Sequence, residues 1–214
     1  FFCFRSSVRL EHKTSAELHL EHVLLDAVRR GWRVTWLAGG FPLGAAESEH
    51  RGMRVLRRGT WWNFNFMVPG VLKREFAGAA TPDLIVEDVN KVPCFTPWFT
   101  RVPVAVIIPH LFGTTVFREA NPLVAAYVLA LEALLPIAYA RCRFVVISDS
   151  TRDDVVTRGI PRERVRRRLA GRVARLVDDQ LRPDAVRQAG VKLGRPEVVG
   201  PHRDELRGAA DAAF

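Results

Sequence analysis

The sequence predicts an α/β domain: a parallel sheet with helices on both faces. Three observations carry that expectation. Several short segments, such as Pro103 to Ile108 and Arg143 to Ile147, are apolar almost throughout rather than alternating. Strands of that kind are buried on both faces, which is the environment of a covered parallel sheet. Between them lie segments whose apolar residues recur at helical spacing. An apolar content of 48% over 214 residues is also enough for a sizeable core.

The elements follow in order. Ser15 to Arg30 places Leu18, Val23, Leu24, Ala27 and Val28 on a helical stripe that Gly31 stops. Arg33 to Ala38 is β-branched and apolar and ends at Gly39-Gly40, a strand entering a tight loop. Met53 to Leu56 is a short second strand, and Trp61 to Phe76 reads as a helix broken near Pro69-Gly70. Asp83 to Glu87 and Pro103 to Ile108 are the third and fourth strands. Asn121 to Arg141 is a long helix, with Pro122 in its first turn and a kink at Pro136. Arg143 to Ile147 is the fifth strand; Ser148 or Ser150 then caps a helix carrying Asp153 and Asp154.

The character changes after about Val165. Residues 166–214 contain a single aromatic, Phe214, and are rich in Arg, Ala, Gly and Asp. Arg164 to Asp179 reads as a helix striped by Val165, Leu169, Val173 and Leu176, followed by a poorly ordered tail. The expected organisation is one domain over 1–165 and a basic helix with tail over 166–214.

Composition excludes several classes. The net charge is +9, and about half of the excess falls in 162–214. This favours anionic partners without choosing among them. Arg164, Arg166, Arg167, Arg168 and Arg172 form a basic face with no interleaved aromatics, which argues against single-stranded nucleic acid. No apolar run reaches the roughly 18–20 residues of a membrane span; Leu123 to Ala140 is interrupted by Glu132 and Pro136. Cys3, Cys94 and Cys142 fit no zinc or disulfide spacing and read as reduced thiols in a cytosolic protein. Phe1 to Arg5 does not open a signal peptide, and the missing initiator Met reads as a truncated start. His19 and His22 share a helix face near His12, but no Cys or Asp completes a metal set. Neither a dinucleotide fingerprint nor a Walker loop is present, which disfavours a Rossmann-type dehydrogenase.

Ligands of open parallel sheets bind beyond the carboxyl ends of the strands. The segments to search are therefore Gly39 to Pro42, Glu87 to Lys91, Pro109 to Gly113 and Ser148 to Thr151. His110 is placed to hydrogen-bond a sugar or phosphate, or else caps the sheet edge. Glu87, Asp88 and Asn90 suit sugar hydroxyls, because carboxylates and amides accept or donate in pairs. The alternative is turn capping with a solvated Glu87–Lys91 face. Ser148 either helps hold an anion at a helix start or is a plain N-cap.

The stretch Val86 to Pro97 (VEDVNKVPCFTP) resembles the N-terminal domain of glycosyltransferase family 4. So do Pro109 to Phe117 (PHLFGTTVF), Arg143 to Asp154 (RFVVISDSTRDD) and Gly159-Ile160-Pro161. The resemblance covers roughly 14–165. It implies a Rossmann-like domain that is one half of a GT-B fold, the acceptor-side half of a retaining enzyme moving a sugar from a nucleotide donor. The family's Gly-Gly-Ala-Glu loop is here Thr14-Ser15-Ala16-Glu17, which keeps Ala-Glu and lacks both glycines. The first strand is poorly represented by Phe1 to Ser7. No donor-binding domain with a Glu-x7-Glu motif is recognisable after Val165, which leads to the expectation of a truncated or frameshifted product.

By that resemblance His110 sits near the transferred sugar. Glu87, Asp88 and Asn90 line the acceptor side, Glu17 stands near the phosphate loop, and Gly113 and Ser148 join the substrate-binding set. No metal and no cofactor are implied; the nucleotide-sugar is a donor substrate, and a sugar or lipid is the acceptor. The implied location is cytoplasmic, with peripheral contact to the inner membrane face, and the chain alone is expected to be inactive. The rival expectation is a non-catalytic Rossmann-like module for an anionic ligand or a membrane surface.

Overall fold

The computed structural model describes residues 2–5, 15–60, 63–89, 92–119 and 121–167. They form an eight-stranded sheet: β1 Phe2–Arg5, β2 Val34–Ala38, β3 Glu47–His50, β4 Met53–Arg57, β5 Ile85–Asp88, β6 Val104–Ile108, β7 Arg143–Val146 and β8 Val165–Arg167. The spatial order is β3-β4-β2-β1-β5-β6-β7-β8. Every pairing is parallel except that of β3 with β4. From β1 the chain first builds outward through β2 and β4, then returns to the other side of β1 and builds through β5 to β8. The reversal falls between β1 and β5, a topological switch point. This doubly wound order is compatible with a Rossmann-like fold.

Helices cover both faces. On one side, α2 (Phe64–Glu75), α5 (Leu135–Ala138) and α6 (Asp149–Thr157) pack over Leu37, Ile85, Val106, Ile108 and Phe144. On the other, α1 (Ser15–Arg29) lays Leu20, Val23, Leu24 and Ala27 over Trp36, Val55, Val86 and Ile107. The helices α3 (Val116–Glu119) and α4 (Pro122–Ala133) meet in a smaller cluster around Val116, Ala125 and Val128. The β6 residues Val104 to Ile108 are all buried, as their unbroken apolar text requires.

Several elements differ from the sequence expectation for identifiable reasons. The poor strand text near Phe1 forms β1, at the centre of the sheet between β2 and β5. Helix α2 runs unbroken through Pro69, because Phe64, Val68, Val71 and Leu72 bury one stripe across it. That burial outweighs the single backbone hydrogen bond a proline removes. The long helix expected over 121–141 is two helices, with Pro136 in the first turn of α5. Strand β3 was not expected: its Glu-Ser-Glu-His text has no strand propensity. It is created by the two-residue turn Arg51-Gly52, both at positive φ (51° and 78°), which folds it antiparallel onto β4. Finally, the helix expected to begin at Arg164 starts instead in the edge strand β8, whose Val165 is 4% exposed against β7. The rest of that expected helix and the tail lie outside the described residues.

Cys94 and Cys142 are buried and form no disulfide. Burial, with the Glu87 carboxyl adding to it, pushes the Cys142 thiol up to about 12. A thiol that does not ionise does not react. Cys142 will therefore resist an aromatic disulfide reagent in the native protein and react once urea unfolds it. Peptide mapping of the labelled sites checks this.

Candidate functional site

The carboxyl ends of the parallel strands form one rim. Because Asp88 is in register with Ile107, the loops after β5 and β6 leave the sheet side by side. The structure holds each loop from beneath with a buried carboxylate.

Under the β5 loop the group is Glu87, wholly buried. Its Oε1 accepts the Cys94 N–H at 2.6 Å and the Tyr139 hydroxyl at 2.6 Å, and its Oε2 accepts the Thr96 N–H at 3.4 Å. The Tyr139 oxygen in turn accepts the Phe95 N–H at 2.8 Å. Phe95 sits in the left-handed region (φ 53°) and stacks on Trp98 at 4.9 Å. A bulky residue there is held by its surroundings rather than by its own preference. Burial raises the Glu87 pKa above its ordinary value, and the bonds from Tyr139, Thr96 and Cys94 pull it partway back. Burial, followed by the Glu87 charge, holds the Tyr139 phenol well above its usual range.

Under the β6 loop the group is Glu132 of α4, whose side chain is 4% exposed. It accepts the Phe112 N–H at 2.8 Å and the Gly113 N–H at 3.1 Å. Arg158 pairs with it at 3.2 Å. A second tie comes from α6, where the buried Thr151 hydroxyl donates to the Pro109 carbonyl at 3.2 Å. The residues flanking His110 are thus fixed from two helices.

His110 itself is exposed at this rim, its ring edge-on to Phe112 at 4.8 Å. Among the described residues no side chain hydrogen-bonds its ring nitrogens. An imidazole carries two ring nitrogens that can hydrogen-bond a hydroxyl or phosphate oxygen.

The other expected site residues fare differently. Glu87 does not face the rim; its carboxylate points into the packed layer under the loop, out of reach of an acceptor. Asp88 is 7% exposed and, by strand alternation, shares the opposite face with Val86. Asn90 lies outside the described residues. Glu17 is in the first turn of α1, and its side chain also lies outside the described part. Gly113 is on the rim with its N–H occupied by Glu132. Ser148 is the N-cap of α6, its oxygen accepting the Thr151 N–H at 3.0 Å, so the plain capping alternative is what the structure shows. His110 and Gly113 therefore come together, and Glu87 supports the neighbouring loop from below.

Sequence reasoning missed Glu132, Arg158, Tyr139 and Thr151 as supporting residues. Glu132 had a signal: it is the one charge in the apolar text from Pro122 to Ala140. A lone buried charge requires partners. Tyr139 and Arg158 had none; Thr151 stands in the Ser148 to Thr151 segment, but nothing there marked its hydroxyl as a tie to the β6 loop.

Gly113 has φ 50°, and a Cβ there would meet an Arg158 guanidinium nitrogen at 2.9 Å. Gly113→Ala is expected to cost about 1–2 kcal/mol for the left-handed backbone. It will also displace Arg158 from Glu132. A urea melt of the variant gives the first quantity, and Arg158→Ala alone should reproduce only the second.

A cavity of about 450 Å³ opens at the other end of the sheet, lined by Pro69, Leu72, Phe76, Phe99 and Arg101 among others, away from His110. Among the described residues no three His, Cys, Asp or Glu side chains gather as metal ligands. No described helix is long and apolar enough to cross a membrane. No protein-family model matches the chain, and no curated protein matches it.

Proposed function

We propose that this chain is the N-terminal, acceptor-side half of a retaining family 4-like GT-B glycosyltransferase, which in its complete form moves a sugar from a nucleotide-sugar to an acceptor. The observation that carries the reading is His110: an exposed imidazole at the carboxyl end of β6, beside the β5 loop, with its own loop fixed from behind by Glu132 and Thr151. A sugar-transfer enzyme needs this combination, because its rate comes largely from positioning the reacting groups. The resemblance in 86–97 and 109–117 falls on these same two loops.

His110 would contact the transferred sugar, and the β5 loop would present the acceptor. Catalysis would come from stabilising the leaving phosphate with groups of a donor-binding domain, without metal or cofactor. Glu17 would approach that phosphate. The described residues would form one wall of such a cleft, and the groups that hold the donor would stand across it. The enzyme would work in the cytoplasm or at its membrane face.

Ligand-observed NMR on the full chain, against a panel of sugar and lipid-linked sugar acceptors, tests the reading. The expected result is weak, saturable binding of one acceptor class that His110→Ala reduces at least about tenfold, with the fold unchanged. Binding of no acceptor, or equal binding by the variant, removes the proposal.

A further inference from the structure

A buried guanidinium at the carboxyl rim has no carboxylate paired with it among the described residues. It belongs to Arg57, the last residue of β4, in register with Ala38 at the end of β2. Arg57 therefore stands where the chain leaves β2 for the loop that begins at Gly39. It is 6% exposed, and burial holds its pKa below the ordinary guanidinium value. Buried charges are ordinarily paired, because taking an unpaired one out of water is costly.

Its surroundings fix which side of the group is left over. Nη1 donates to the Ala45 carbonyl at 3.1 Å and to the Ser48 hydroxyl at 2.8 Å, which uses both of its protons. The Phe41 ring lies against the guanidinium, 5.4 Å from Cζ to centroid. Nε is buried and bonds nothing, and no described residue accepts from Nη2. Nε–H and Nη2–H are parallel donors along one side of the planar fork, a pair that grips two oxygens of one carboxylate or phosphate.

The loop that holds Arg57 carries a second irregularity. The Gly44 N–H donates to the Phe41 carbonyl at 3.0 Å, which closes a turn over Phe41, Pro42, Leu43 and Gly44. Leu43, third in the turn, has φ 65° and is fully exposed. A turn with positive φ at its third residue favours glycine or asparagine there. A leucine is strained at that position and leaves its side chain in water; strain of this kind gathers at ligand clamps. Leu43 also lies between Phe41 and Ala45, whose ring and carbonyl hold Arg57. Strands β4 and β6 are four strand spacings apart, about 19 Å, so this position is distinct from that of His110.

We infer that Arg57 and the turn from Phe41 to Ala45 bind a small organic anion. Two oxygens of its carboxylate or phosphate lie on Nε and Nη2 of Arg57, and its apolar part lies against Leu43. The site does not depend on the sugar-transfer reading, and its probes carry no sugar, so either can fail alone.

Calorimetric titration of the full chain with benzoate, phenyl phosphate and inorganic phosphate, at constant ionic strength, is the measurement. The expected result is saturable binding of at least one of the two aromatic anions. Binding of benzoate alone assigns a carboxylate ligand, and binding of phenyl phosphate alone a phosphate monoester. Arg57→Lys keeps the charge but loses the fork, and should weaken binding at least about tenfold. Leu43→Gly suits the left-handed turn position, so the fold is kept. It should weaken the aromatic anions about fivefold and leave inorganic phosphate unchanged. Absence of saturable binding by either aromatic anion overturns the inference. So does binding that either substitution leaves unchanged, which would put the anion on other basic residues.

Discussion

Replacing Glu87 by Ala should lower the unfolding free energy by about 3–5 kcal/mol, the largest single effect expected in this protein. The substitution strands the Cys94 amide, the Thr96 amide and the Tyr139 hydroxyl in a buried layer. Each uncompensated donor costs about 1–3 kcal/mol, and a cavity adds to this. Equilibrium urea unfolding gives the number; a loss under about 1 kcal/mol would mean that the β5 loop does not depend on this group. Glu87→Gln should lose less, because one acceptor oxygen survives. The two variants also separate in pH. Burial raises the Glu87 pKa in the folded state above its ordinary value of 4.5. The folded protein then holds the proton more tightly than the unfolded chain does. That contribution to stability is fully present below 4.5 and lost as pH rises through the folded-state value. Wild-type stability should therefore carry a downward component across that window, and the difference between wild type and Glu87→Gln should isolate it. A difference that stays flat, or rises with pH, contradicts the raised pKa.

Glu132→Ala should cost about 2–4 kcal/mol and release the loop that carries His110. Three donors lose their acceptor: the Phe112 and Gly113 amides and the Arg158 guanidinium. Arg158 is 25% exposed and can turn to water, so most of the penalty falls on the two amides. The diagnostic is local. Amide hydrogen exchange at Phe112 and Gly113 should accelerate at least about tenfold more than global destabilisation accounts for. Amides in β7 should follow the global change only. Uniform acceleration would show that Glu132 supports the fold without positioning this loop.

The two carboxylates also mark how much of the candidate site was legible in the sequence. The apolar runs of β6 and β7 and the helical stripe of α1 were readable because burial leaves a local pattern in the text. The rim was readable as well, since in a parallel sheet the segments after the strands emerge on one side. His110 lies there and is exposed, and Gly113 follows it in the same loop. Glu87 was readable as a polar residue at a strand end, but not as one turned inward. Ser148 illustrates the same point: a hydroxyl at a helix start serves equally as cap or anion ligand, and its 3.0 Å capping bond from the Thr151 amide is visible only in the structure. Strand β3 was not legible because a turn and a neighbouring strand, not its own residues, impose its conformation.

By itself the sequence determined that this protein is an α/β domain with a mainly parallel sheet, and where β2, β4, β5, β6 and β7 lie. Both follow from side-chain periodicity, which is set by neighbours a few residues apart. The tertiary structure alone decided that β1 lies between β2 and β5, and that Glu87 and Glu132 face inward rather than toward a ligand. Their partners stand up to 52 positions away in the chain. The direction of a buried carboxylate is fixed by whichever donors surround it, and no local pattern records which donors those are.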